Sequence, residues 1–258
     1  MELGLKDKRV LITGGSKGVG LACARVFLTE GSRVALVSRS QANLDAAKVS
    51  IGEVFTVAAD LTDPAAAADM VRQVETEFGA IDILVNSAGA ALRTSAEDLT
   101  PAAWHAAMDA KFFSYIHVID PVVKLMAERG AGVIVNIIGN GGKIPSPVHL
   151  AGGAANAALM LATAGLAHTY ASRGVRVVGL NPGLTNTERV SEGLKVEARR
   201  AGITEQQALE VAVSKLAMGR LAEPAEIASI VAFAASAQGV YLTGANITVD
   251  GASHPTVI

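Results

Sequence analysis

The chain has 258 residues, a single cysteine and a formal net charge of -2, with 50% of its residues apolar and 18% charged. That length suits one domain with a core covered on both faces, and so low a charge content points to surface buried between subunits. The near-neutral balance argues against nucleic acid or an anionic membrane as partner, and Cys23 alone can build neither a disulfide framework nor a thiolate metal cluster.

The first eight residues hold no apolar leader segment, so a cytoplasmic protein is the expectation. Residues 9–13 read as a short apolar strand, and residues 18–30 as a helix with Val19, Ala22, Val26 and Phe27 at helical spacing. Between them lies a glycine-punctuated turn containing Gly14, Ser16, Lys17, Gly18, Val19 and Gly20. A turn of this kind offers a phosphate the unpaired first-turn amides and the positive end of the helix dipole. Glycine lets the backbone come close to such a ligand, and the strand–turn–helix context gives the spacing its meaning.

Residues 34–37 form a second strand, followed by a helix from Gln41. Residues 54–58 form a third, after which Pro64 opens a helix reaching Phe78, as proline suits a first helical turn. Residues 81–85 are the fourth strand, and Pro101 begins a helical region that continues to Arg129 with a bend at Pro121. A fifth strand spans 132–138, and a Gly/Pro loop leads to Val148. Residues 150–167 are uncharged and barely long enough to span a bilayer. Their alanine and glycine content, with Asn156 in the middle and no aromatic flanks, reads instead as a buried helix packed closely against another subunit, so no membrane partner is expected. A sixth strand covers 175–180, a helical insertion with a polar surface 187–217, a helix 224–235 and a last strand 245–249. Near-continuous apolar strands between helices define the α/β class: one domain, with a Rossmann-type doubly wound parallel sheet of about seven strands and helices on both faces.

Several stretches carry a resemblance. Thr13 to Gly20 fits the pattern TGxxxGxG, Asp60-Leu61-Thr62 follows the third strand, and Asn86-Ser87-Ala88-Gly89 stands close to NNAG. Val135-Asn136-Ile137 lies on the fifth strand, Asn181-Pro182-Gly183 precedes Thr185 and Thr187, and Leu242-Thr243-Gly244 leads to Val249-Asp250-Gly251. In this order and spacing they resemble the short-chain dehydrogenase/reductase family over nearly the whole chain. The resemblance implies a nicotinamide dinucleotide held by Gly14, Ser16, Lys17, Gly18, Val19, Gly20, Ser38 and Arg39. Asp60, Leu61, Asn86, Ala88 and Gly89 complete the adenine side, and Pro182, Gly183, Thr185 and Thr187 the nicotinamide side. The second strand selects the cofactor: a carboxylate there would bind a ribose 2′-hydroxyl, whereas Ser38-Arg39, with Lys17 in the glycine loop, favours NADP(H) over NAD(H). The alternative is that Arg39 and Lys17 are solvated surface charges.

The family's serine, tyrosine and lysine are absent. Aligned through Val135-Asn136-Ile137 and Asn156-Ala157-Ala158-Leu159, those positions are Gly139, Gly152 and Asn156, and none of Tyr115, Tyr170 and Tyr241 has a lysine four residues on. Lys111 stands where the family has a further active-site asparagine, so the ammonium has crossed from one wall of the site to the other, with Asn156 opposite it. The competing reading is a Lys111 that reaches solvent. The two glycines also vacate volume, which a bulkier substrate or a neighbouring side chain (His149, Asn140 or Lys143) could take. His149 is the general acid or base suggested by ordinary titration behaviour, although a lone histidine at a helix start can equally be structural. His105 and His117 read as surface or packing residues, and no spacing suggests a metal site.

The expected function is an NADP(H)-dependent oxidoreductase acting on the carbonyl/alcohol pair of a small molecule through a rebuilt acid–base site of Lys111, Asn156 and His149. The alternative is an NADP(H)-binding protein without redox turnover, either a sensor or a lyase or isomerase. The insertion at 187–217 resembles a substrate lid and favours an enzyme. The resemblance further implies a homodimer or homotetramer built through helices 103–129 and 150–170.

Overall fold

The computed structural model describes residues 2–89 and 91–254. Its strands are β1 (Arg9–Thr13), β2 (Arg33–Ser38), β3 (Phe55–Ala58), β4 (Ile83–Asn86), β5 (Gly132–Ile137), β6 (Val175–Pro182) and β7 (Asn246–Val249). They pair in parallel as a single sheet in the order β3-β2-β1-β4-β5-β6-β7. Each crossover is helical: α1 (Gly18–Thr29), α2 (Gln41–Ile51), α3 (Pro64–Gln73), α4 (Pro101–Met108), α5 (Ser114–Arg129) and α6 (Leu150–Tyr170) precede β6. Between β6 and β7 come α7 (Glu188–Ala201), α8 (Glu205–Ser214) and α9 (Pro224–Ala235).

Side chains of a strand alternate between the two faces, so a strand covered on both must be apolar throughout. Leu11, Leu84, Ile134 and Val177 point to the core shared with α3, α5 and α6. Their neighbours Val10, Ile12, Val85, Val135 and Val178 point to the core shared with α1 and α9. The chain reverses its direction of winding between β1 and β4, and the crevice beyond the carboxyl ends of these two strands is where such sheets bind ligands.

Several expected boundaries move. The fourth strand begins at Ile83 rather than at 81, because Ile81 and Asp82 belong to a turn. There the Ile81 amide donates to Glu75, the Asp82 amide to the Arg9 carbonyl, and the Asp82 carboxylate holds Arg9 at 3.0 Å. The helical region at 101–129 is interrupted at Asp109–Phe113, a wide π-helical turn, and Pro121 sits inside the continuous helix α5 instead of marking the break. The insertion is two helices, capped by the Thr187 side chain on the Val190 amide and by a Thr204/Gln207 capping box. Residues 150–173 are long and apolar enough to cross a membrane by length and composition. In the fold, α6 packs on β6 and buries Ala155, Leu159 and Thr163, while Leu161 remains 77% exposed.

Candidate active site

The glycine loop is built for contact. Gly14 has φ +64°, and a Cβ there would stand 2.8 Å from the Ala88 backbone; one on Gly20 would stand 2.3 Å from the Gly14 carbonyl oxygen. Lys17, at the cap position of α1, supplies no side-chain cap, so the first amides of the helix remain open to an anion. Thr13 Oγ1 ties the loop to the next strand: it accepts from the Ser87 and Ala88 amides and donates to Asn86 Oδ1 at 3.2 Å. Asn86 then donates to Asn136, and Asn136 to Thr163, both at 3.0 Å. Asn86 is thus fully buried and consumed in this chain, and it supports the loop from below instead of facing a ligand.

Two cavities open above the loop. The smaller, about 220 Å³, is bounded by Gly14, Ser38, Arg39, Asp60, Leu61 and Gly89, with Ala88 beside them. Asp60 Oδ1 accepts from the Thr62 amide and hydroxyl, which together with the Arg39 charge hold its carboxyl below the usual range against the effect of burial. Arg39 is exposed at the rim. Lys17 leaves this end: its ammonium pairs with Glu188 on the first turn of α7, 3.1 Å away, with both groups solvated.

The larger cavity, about 580 Å³, lies between the carboxyl ends of β5 and β6 and the helical insertion. Val19, Pro182, Gly183, Thr185 and Thr187 line it, and the Thr187 methyl would lie 3.5 Å from a Cβ on Gly18. Lys111 reaches it from the π-helical turn and is only 8% exposed. Its ammonium donates to Tyr115 Oη at 2.8 Å and to the Ile137 carbonyl at 3.0 Å, and lies 4.4 Å from the Tyr115 ring centre. Tyr115 Oη donates to the same carbonyl at 2.6 Å. Burial, reinforced by the Arg189 charge, pulls the Lys111 ammonium down to about 7, and burial pushes the Tyr115 phenol far above its ordinary value. A Lys111 that snorkels to solvent is therefore ruled out.

Asn156 lines the same cavity but forms no hydrogen bond with Lys111, and its Oδ1 has no partner among the described residues. The expected facing pair lines one cavity without a hydrogen bond between its members. Asn156 Nδ2 instead lies 3.5 Å from the point where Gly139 would carry a Cβ. His149 occupies the space that Gly152 leaves open: a Cβ at Gly152 would stand 2.1 Å from the imidazole Cε1. Burial first, then Arg93, Arg189 and Lys111, pull this imidazole down to about 4, and its Nδ1 is buried without a partner among the described residues. Asn140 turns to Asp250, 2.7 Å away, and Lys143 to Thr248 and the Asn246 carbonyl. His105 is exposed, and His117 packs on Phe113 with Nδ1 3.0 Å from the Leu61 carbonyl.

A phosphate-ready loop at the switch point of a seven-stranded parallel sheet agrees with what comparison with known proteins finds. The sequence pattern named short chain dehydrogenase matches residues 8–197. The chain belongs to the short chain dehydrogenase family. The chain is 30% identical over 256 residues to a 3alpha-hydroxysteroid dehydrogenase of Mediterraneibacter gnavus, covering 97% of this chain and 98% of the relative. It superimposes with a TM-score of 0.92 on L-sorbose reductase from Gluconobacter frateurii complexed with NADPH and L-sorbose, at 28% identity and complete coverage of both chains. It is also similar, at 29% identity and a TM-score of 0.89 over 98% of this chain and 99% of the other, to a short chain oxidoreductase from Pseudomonas aeruginosa PAO1, an NADPH-bound structure described as containing an atypical catalytic center.

The sequence alone does not single out Tyr115, Arg93 and Arg189. Searching for a lysine four residues after a tyrosine discards Tyr115, yet Lys111 stands four residues before it, and that spacing puts both on one helix face. Arg93 and Arg189 give no such signal, because only the fold brings the segment after β4 against α7.

Proposed function

We propose that this protein is an NADP(H)-dependent oxidoreductase of a carbonyl/alcohol pair in which Lys111 serves as the proton donor and acceptor. The Lys111 ammonium, buried at the wall of the larger cavity, is the observation that carries the reading, and that burial pulls it down to about 7. A general acid is most effective when its pKa lies near the working pH. Lys111 protonated can give a proton to a carbonyl oxygen, and Lys111 neutral can take one from an alcohol. Tyr115 is a positioning residue: it does not line the cavity, and it holds the ammonium from behind while sharing the Ile137 carbonyl.

The residues present fit the dinucleotide: the first amides of α1 are left uncapped by Lys17, and the loop in front of them packs so closely on Ala88 and on itself that Gly14 and Gly20 admit no Cβ. Gly14, Ser16, Gly18, Val19 and Gly20 would hold it, with Asp60, Leu61, Ala88 and Gly89 on the adenine side and Pro182, Gly183, Thr185 and Thr187 on the nicotinamide side. Arg39 at the rim of the smaller cavity would pair with the 2′-phosphate. When bound, the cofactor supplies or accepts hydride at nicotinamide C4. The family's serine, tyrosine and lysine are replaced in this reading by Gly139, Gly152 and Asn156. The Pseudomonas relative with an atypical center and the NADPH bound by the reductases named above support it. His149 is uncharged at neutral pH and so acts as a hydrogen-bonding wall, with Asn156 beside it, and α7 and α8 form the lid over the substrate. Helices 103–129 and 150–170, with exposed Leu161, Phe113 and Trp104, would carry the subunit contacts.

The test is a fluorescence titration with NADPH and NADH followed by a panel of aldehydes, ketones and quinones. Tighter binding of NADPH, with oxidation by some carbonyl, is expected. Binding without oxidation by any of them would move the reading to a sensor or a non-redox enzyme.

A further inference from the structure

We propose that the substrate of the larger cavity carries a compact anionic group, a carboxylate or a phosphate, bound between Arg93 and Arg189. The inference rests on that cavity being the substrate site. Arg93, Lys111, Arg189 and Lys215 line it together with His149 and His254, and no aspartate or glutamate is among its described lining residues. In a chain with a net charge of -2 this is a local segregation of cations, and a cavity lined by one sign of charge concentrates ligands of the other.

The two arginines are held with donors to spare. Arg189, on the first turn of α7, donates from one terminal nitrogen to the Gly89 carbonyl at 3.2 Å and from the other to the Ala91 carbonyl at 3.3 Å. A guanidinium has five N–H groups, so three remain for a ligand. Arg93 lies against α7, where a Cβ at Gly193 would stand 3.1 Å from its Nε, and among the described residues it has no ion-pair partner. Glycine in a helix interior is unfavourable, and here it clears the side of α7 for the guanidinium. Arg93 and Arg189 lie close enough to act electrostatically on each other and, with Lys111, on His149.

The nearest carboxylates do not neutralise them. Glu192, exposed on α7, acts on Arg189 electrostatically but forms no ion pair with either arginine among the described residues, and Asp250 faces Asn140 and His254. Two guanidiniums lining one cavity offer planar forks of the geometry that a carboxylate or phosphate accepts. Ile144, Leu184, Val190 and Leu216 leave an apolar remainder for a short carbon skeleton.

The test compares 4-oxopentanoate with 4-oxopentanamide, which share shape and differ in charge, alongside inorganic phosphate. Binding is read from the imidazole signals of His149 in proton–nitrogen spectra, first without cofactor and then with NADPH. The acid or phosphate is expected to shift these signals and raise the His149 midpoint, with the amide inert. Whichever anion binds more tightly names the group. Arg93→Gln alters an exposed side chain and should weaken binding roughly 10-fold or more, the worth of one charge-assisted hydrogen bond. Arg189→Gln should do the same. Equal binding of acid and amide, no binding of either anion, or unchanged affinity in Arg93→Gln would overturn the proposal. NADPH binding is measured on the same samples, so failure of the cofactor reading and failure of the anion reading appear separately.

Discussion

Replacing Lys111 by methionine should make the protein more stable at neutral pH while disabling it. On folding, the ammonium drops from its ordinary 10.5 to about 7, so the folded state resists the proton that the unfolded chain accepts. Below pH 7 both states carry the proton and the folded protein bears the full penalty, about 5 kcal/mol for a gap of that size. Between 7 and 10.5 the unfolded chain binds more protons, so stability rises with pH; the penalty is about 4 kcal/mol at pH 7 and about 2 kcal/mol at pH 9. Methionine fills similar volume without charge and loses two donated hydrogen bonds, worth about 1 kcal/mol each. The Ile137 carbonyl stays satisfied by Tyr115, so no acceptor is orphaned there. The variant should therefore gain about 2 to 3 kcal/mol at pH 6 to 7, or roughly 5–10 °C in Tm for a domain of this size, and the gain should vanish near pH 9 and turn into a loss of about 1 to 2 kcal/mol as pH nears 10.5. Urea unfolding of both proteins from pH 6 to 10.5 measures this. Parallel pH profiles, or a variant less stable at pH 6, would refute the buried, cavity-facing ammonium.

Other outcomes follow from the same geometry. Gly20→Ala forces a methyl to within 2.3 Å of the Gly14 carbonyl oxygen, so NADPH affinity should fall by at least about 10-fold together with a loss of about 1–3 kcal/mol in stability, checked by fluorescence titration and thermal unfolding. Arg39→Asp should reverse the preference between NADPH and NADH, since it replaces a phosphate partner with a repelling carboxylate; ratios of Kd measure it. His149→Gln should retain kcat within about 10-fold at pH 7 and leave its pH profile unchanged, because an imidazole titrating near 4 is neutral there. In the native enzyme the reduction rate should fall as pH rises past about 7, and the oxidation rate should rise, as Lys111 loses its proton.

The fold was legible because its determinants are local. Strands such as residues 9–13 and 175–180 must be apolar on both faces, and the glycines between β1 and α1 answer to close backbone approach. Helix packing was less legible: α6 is apolar because it lies on the sheet, and the π-helical turn at Asp109–Phe113 leaves no composition signal comparable to Pro121. At the site, the absence of a family-type Tyr/Lys pair could be read directly. What we propose in its place depends on tertiary packing. The depth of Lys111 comes from α5 lying against β5, and the imidazole of His149 occupies space that exists only because Gly152 has no side chain. Lys17 illustrates the converse, since from the sequence it could be a phosphate partner or a solvated surface charge, and only the fold brings Glu188 to it from the far side of the chain.

The most direct test of the account is single-turnover oxidation of bound NADPH by a reactive carbonyl, compared in the native protein and Lys111→Met at pH 7. The account predicts equal NADPH affinity in both, with oxidation slowed in the variant by a factor of about 100 to 10,000, the usual contribution of a positioned general acid. Native rates in the variant, or failure of the native protein to bind NADPH, would contradict it.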